Sequence, residues 1–220
     1  MTLFGLAALV CFAGHATAGS GAVTIVLLGD SYLNGAGSRG SLTKAEEFSA
    51  ILSSALAADG VPATLTGPGF KELSESGANW IKRAPAAAKM MAAPSNYVVM
   101  LELGANDCGE QLKVDETRAN LDLILTRLNE SHIPVLVIGT SAYEICRLTM
   151  GATYPADYTQ MFADLAERYG EFYYSDFKDG VSGHPELLQA DQDHPNAAGN
   201  ALIAEKMLPV VKELVARAQK

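Results

Sequence analysis

The chain has 220 residues, with 16 Lys plus Arg against 25 Asp plus Glu and a formal net charge of -9. Hydrophobic residues make up 49% and charged residues 19%, a globular composition that excludes a disordered, collagen-like or coiled-coil chain as the main account. The acidic balance leaves little to displace counterions from a phosphate backbone, which argues against a nucleic-acid partner. Three Cys are too few for a disulfide framework or a four-ligand zinc site. One domain with a substantial core is the expectation at this length.

Met1 to Ala18 is apolar, lacks Lys and Arg, and ends in Ala16-Thr17-Ala18, a small-x-small pattern. It is too short to span a bilayer and reads as a secretory signal peptide. Residues 19–220 are then a single mature domain, periplasmic or secreted. Loss of the leader removes Cys11 and leaves Cys108 and Cys146 in an oxidising compartment, which suggests one disulfide between them.

In chain order, Val23 to Leu28 is a β-rich apolar run ending at Gly29-Asp30, suited to a strand buried on both faces. Glu46 to Ala58 has helical spacing and stops before Asp59-Gly60. Ala63 to Leu65 reads as a short strand, and Ala84 to Met91 as an Ala-rich helix closed by Pro94. Tyr97 to Leu103 is a second strong strand, followed by Gly104-Ala105-Asn106-Asp107. Thr117 to Ser131 places Leu121, Ile124, Leu125 and Leu128 on one helical face. Pro134 to Gly139 is a third strand, and Thr140 to Tyr158 a loop overhanging its end. A helix over Asp157 to Tyr169, a short strand over Glu171 to Tyr174, and a terminal helix over Pro195 to Ala218 complete the chain. Strands alternating with helices predict βαβ units and a parallel sheet covered on both faces. Its ligand crevice belongs beyond the carboxyl ends of the strands, where Asp30-Ser31 and Asn106-Asp107 fall.

Ester cleavage needs a hydroxyl nucleophile, a base, a group that orients the base, and donors for the oxyanion. Ser31 supplies a hydroxyl on the turn after the first strand. His194 sits just before the terminal helix, with Asp191 three residues earlier, close enough to fix the imidazole tautomer on a tight turn. Asp193 is the lesser candidate on spacing, and His184 belongs to a surface loop. The Asn106 amide can donate to an oxyanion, and Gly77 lets a backbone N–H approach a ligand closely.

Ser31, Gly77, Asn106 and His194 occur in that order in four blocks, and this pattern resembles the SGNH (GDSL-type) hydrolase superfamily. Its blocks here are Gly29-Asp30-Ser31-Tyr32, Ser76-Gly77, Gly104-Ala105-Asn106-Asp107 and Asp191-x-x-His194-Pro195-Asn196. Tyr32 stands where the family usually has Leu. The spacing most resembles the periplasmic acyl-CoA thioesterase / lysophospholipase / arylesterase branch. The resemblance implies a flavodoxin-like three-layer α/β/α sandwich around a parallel sheet. It also implies carboxylic (thio)ester hydrolysis through an acyl-enzyme, without a metal or organic cofactor. Ser31 would be the nucleophile, His194 the base and Asp191 the orienter. The oxyanion hole would combine the Ser31 and Gly77 backbone N–H groups with the Asn106 amide.

The stretch after the third strand holds Tyr143, Ile145, Leu148, Met150 and Tyr154, expected to form an apolar groove for an acyl chain. A carbohydrate O-acetylesterase of the same fold is the rival enzyme, and a non-catalytic flavodoxin-like binding module the rival of another class. The expected partner is a small-molecule ester or lipid, with no nucleic acid, no stable membrane insertion of the mature chain, and a monomeric state.

Overall fold

A computed structural model of the protein describes residues 21–33, 41–66, 96–107 and 109–220, with the side chains of 144 and 145 excepted. The proposed leader, the predicted helix over Ala84 to Met91, Gly77 and Cys108 lie outside these residues.

Five strands are described: β1 (Val23–Gly29), β2 (Ala63–Thr66), β3 (Tyr97–Glu102), β4 (Val135–Ile138) and β5 (Phe172–Tyr174). All pair in parallel, in the order β2-β1-β3-β4-β5. This is the flavodoxin-like order, whose switch point lies between β1 and β3. Gly29 is in register with Glu102, so the two turns that follow these strands emerge side by side. Ser31 lies on one and Asn106 on the other.

The α-helices are α1 (Phe48–Ala58), α2 (Val114–Glu130), α3 (Glu144–Met150), α4 (Tyr154–Tyr169) and α5 (Ala197–Ala218). Successive strand side chains point to opposite faces, and the core divides accordingly. Val26, Leu28, Val99, Leu101, Val135 and Val137 pack against α2 and α4, through residues such as Leu121, Leu125, Tyr158 and Phe162. Ile25, Leu27, Val98, Met100, Leu136 and Ile138 pack against Phe48, Leu52 and Leu56 of α1 and Ile203, Met207 and Val211 of α5. The α/β/α sandwich expected from the alternating pattern is therefore what forms.

Several element ends differ from the sequence reading, for local reasons. The first helix begins at Phe48, after a single 3-10 turn over Lys44–Glu46 and an extended Glu47. Glu46 is committed to that turn, its carboxylate accepting from the Thr43 backbone N–H at 2.7 Å. α2 starts at Val114 because Glu116 reaches back to the Lys113 N–H at 2.9 Å. α4 starts at Tyr154, with Pro155 in its first turn, where a missing N–H costs nothing. Residues 140–158 are thus not one loop but include α3 and the first turn of α4. α5 starts at Ala197: Asn196 is its N-cap, accepting from the N–H groups of Ala198 and Gly199 at 3.0 and 3.1 Å, and Pro195 precedes the helix. No helix among the described residues is long and apolar enough to cross a membrane.

Candidate active site

The turn carrying His194 is built by its own backbone. Leu188 and Pro195 form an antiparallel bridge, and the Gln189 N–H donates to the His194 carbonyl at 2.7 Å. Gln192 turns the chain in the left-handed region at φ 59°. Asp191 then serves two functions. Its Oδ1 accepts from the N–H groups of Asp193 and His194, both at 3.0 Å, and its Oδ2 lies 3.1 Å from His194 Nδ1. Partial burial pushes the Asp191 carboxyl up, but the two N–H donors and the imidazole outweigh it and leave the group below its ordinary value.

The other imidazole nitrogen, Nε2, is 2.9 Å from Ser31 Oγ. Hydrogen on Nδ1 satisfies Asp191 and leaves Nε2 to accept from the Ser31 hydroxyl. One unbroken chain, Asp191–His194–Ser31, thus spans the crevice edge. Asp193 stands farther off, with Oδ2 at 3.9 Å from His194 Nδ1, as its spacing suggested. His184 is exposed and paired with Glu186 at 3.1 Å. Asn106 is half-buried, its Nδ2 3.5 Å from Asp30 Oδ2 and so beside the turn that carries Ser31. The Asn106 turn is held by the Asp107 N–H donating to the Gly104 carbonyl at 2.8 Å and by the Asp107 carboxylate accepting from Thr117 Oγ1 at 2.7 Å.

The GDSL-like lipase/acylhydrolase family model matches residues 27–202. The chain belongs to this family. It is a carboxylic ester hydrolase of the SGNH superfamily. TesA shares 23% identity at a TM-score of 0.73, over 87% of this chain and 99% of its own. A psychrotrophic esterase, EstA from Pseudoalteromonas sp., in a structure inhibited by monoethylphosphonate, shares 22% at a TM-score of 0.72, over 86% and 97%. AlinE4, an SGNH-hydrolase family esterase, shares 28% at 0.65, over 87% and 96%. A search of curated proteins returns no match.

Two features of this GDSL-like site escaped the sequence reading. Asp30, next to Ser31, is buried against Glu102 at the end of β3: the Asp30 N–H points to Glu102 Oε2 at 3.4 Å, and Glu102 Oε1 has no hydrogen-bond partner among the described residues. Burial first, and for Glu102 the charge of Asp30, push both carboxyls above their ordinary range. The available signal was a lone carboxylate inside the apolar run Tyr97 to Leu103. Second, Tyr32 and Tyr143 both donate to Asp193, at 2.8 and 2.9 Å. Burial leads in pushing both phenols above their ordinary range, so they remain donors.

The expected groove residues are dispersed. Tyr143 faces the site but spends its hydroxyl on Asp193. Leu148 on α3 is 65% exposed. Tyr154 belongs to the core between α2 and α4, its hydroxyl donating to the Leu112 carbonyl at 2.9 Å. The side chain of Ile145 is not among those described. Among the described residues, no cluster of His, Cys, Asp or Glu is arranged to hold a metal ion.

Proposed function

We propose that this hydrolase works through an acyl-enzyme on Ser31, a reading carried by the Asp191–His194–Ser31 chain with contacts of 3.1 and 2.9 Å. Ser31 Oγ attacks the ester carbonyl as its proton passes to His194 Nε2. Asp191 holds the Nδ1 hydrogen and stabilises the imidazolium. The Asn106 amide and the backbone N–H groups of Ser31 and Gly77 receive the oxyanion. His194 then protonates the leaving oxygen or sulfur, and water repeats the sequence to release the acid. Asn106 is supported in this role by its position beside Asp30 on the adjacent turn.

The substrate we infer is an acyl ester or thioester, of the esterase/lysophospholipase/thioesterase type. The exposed Leu148, on the short helix that starts beyond Tyr143, supports an apolar contact for the chain. The apolar run over 1–18, read as a leader, supports export to the periplasm or outside the cell. Cys146 is wholly buried and follows β4, the neighbour of the strand that Cys108 follows, which supports a Cys108–Cys146 bridge. We take the mature domain to act as a monomer.

A panel of p-nitrophenyl esters from acetate to palmitate, with an acetylated sugar alongside, tests the reading. Turnover with longer acyl chains that vanishes in Ser31→Ala is expected. Turnover of the acetylated sugar alone would move the substrate to carbohydrate O-acetyl groups, and full activity in Ser31→Ala would overturn the mechanism.

A further inference from the structure

Asp193 is where four loops meet. Its Oδ1 accepts from the Tyr32 hydroxyl at 2.8 Å and from Lys178 Nζ at 2.7 Å, and its Oδ2 accepts from the Tyr143 hydroxyl at 2.9 Å. The two phenol oxygens are 3.3 Å apart, and Lys178 Nζ also lies 3.4 Å from the Asp193 carbonyl oxygen. Tyr32 follows β1, Tyr143 follows β4 and Lys178 follows β5, while Asp193 lies in the turn before α5. The Tyr32 ring is stacked on Phe177 at 5.4 Å and tilted against the His194 ring at 5.3 Å, with Lys178 Nζ 4.9 Å from its centre.

Both ends of this clamp adjoin the reacting groups. Tyr32 is the neighbour of Ser31, and Asp193 is the neighbour of His194. The 2.9 Å contact between Ser31 and His194 joins turns 163 residues apart in the chain. The contacts of Asp191 with the imidazole and with the Asp193 and His194 N–H groups lie within its own turn, whereas a contact to the Ser31 turn must cross between segments. The Tyr32–Asp193 bond does so directly, and the Lys178 ammonium compensates its charge. The three donors also keep the Asp193 carboxylate away from the imidazole, where it would compete with Asp191 for the Nδ1 hydrogen.

We propose that Asp193, gripped by Tyr32, Tyr143 and Lys178, is a positioning hub that docks the His194 turn against the Ser31 turn at reacting distance. The proposal rests on the Ser31–His194 reading above. It adds a second group of residues that set the rate without touching the substrate.

Tyr32→Phe and Tyr143→Phe each delete one oxygen and keep the ring, and Asp193→Asn removes the charge and keeps the shape. Two readouts are measured: steady-state turnover of p-nitrophenyl acetate, and the burst with a p-nitrophenyl phosphonate. In the burst a Ser31 Oγ–P bond forms, p-nitrophenolate leaves and His194 takes the serine proton. Loss of one bond to a charged group predicts that kcat and the burst rate fall together, about tenfold in Tyr32→Phe and more in Asp193→Asn, with KM within about twofold. The double variant Tyr32→Phe with Asp193→Asn should lose less than the product of the two single losses, because the bond that Tyr32→Phe removes is one that Asp193→Asn has already weakened. Unchanged kcat and burst rate, a rise in KM alone, or a lower Tm with intact kcat would each overturn the hub. If Asp193→Asn does not fold, the two Tyr→Phe variants decide. Ser31→Ala separates the two levels: activity retained there overturns the nucleophile, whereas an inactive Ser31→Ala beside a wild-type-like Tyr32→Phe overturns the hub alone.

Discussion

Ser31 and Asp191 differ in what their loss removes. On the proposed mechanism the acyl-enzyme forms on the Ser31 hydroxyl, and Ser31→Ala should lower kcat by about 10⁶, a loss typical of a missing serine nucleophile. Asp191→Asn keeps the shape but favours the wrong imidazole tautomer, and a fall of about 10⁴ in kcat is expected on that ground. Asp191 also caps its own turn through two backbone N–H groups. The Asn amide oxygen can keep those contacts, so Tm should move little; a large Tm loss with kcat preserved would make Asp191 a turn residue only. With the oxyanion role proposed for Asn106, Asn106→Ala should cost about 10²–10³ in kcat. Steady-state kinetics on a short-chain ester checks all three variants.

At the scale of elements, the loop after β3 depends on Gly104. Its φ is 115°, a region that side chains rarely adopt, and a Cβ there would stand 2.7 Å from the Tyr158 hydroxyl. That hydroxyl donates to the Gly104 carbonyl, which also accepts from the Asp107 N–H. Gly104→Ala should therefore destabilise the fold by about 1–3 kcal/mol. It should also displace Asn106, two residues on. Denaturant unfolding measures the first effect, and a kcat lower than the remaining folded fraction explains measures the second. Wild-type stability in this variant would show that the loop accommodates a side chain here.

Across the whole molecule, a pair of buried acidic side chains meets where β1 and β3 end, Asp30 at 2% and Glu102 at 0% exposure. Both carboxyls are raised by burial, so the folded state binds more protons than the unfolded one in the range above the ordinary carboxylate values. Their contribution to stability is therefore fully present at low pH and is lost as pH rises through the raised values. Carboxyls held below their ordinary range, such as Asp191, act in the opposite sense, so the test must be differential. Glu102→Gln removes one titrating member of the pair without changing its shape. The Tm of the variant relative to the wild type should rise as pH goes from about 4 to about 7. Parallel Tm curves over that range would show that the pair does not titrate there.

The elements that carry the site were legible because they obey local rules. Val23 to Leu28 and Tyr97 to Leu103 are apolar runs with a β-rich composition, and the helices show a period near 3.6. Asp191 and His194 are three residues apart, so a single turn suffices to join them, and their pairing could be read directly from the sequence. Contacts between distant segments could not be read in that way. The sequence pattern puts Tyr143 in a groove with Tyr154 beside it, and spacing makes Asp193 the lesser candidate to orient His194. In the fold Tyr143 and Asp193 bond, whereas Tyr154 packs into the core between α2 and α4. The apolar–polar pattern reports whether a side chain is buried, but not which buried neighbour it meets. The sequence by itself determined the parallel α/β architecture and offered the residues proposed here to cleave an ester. The tertiary structure decided which turns lie side by side, because strand order and register bring residues far apart in the chain to hydrogen-bond distance.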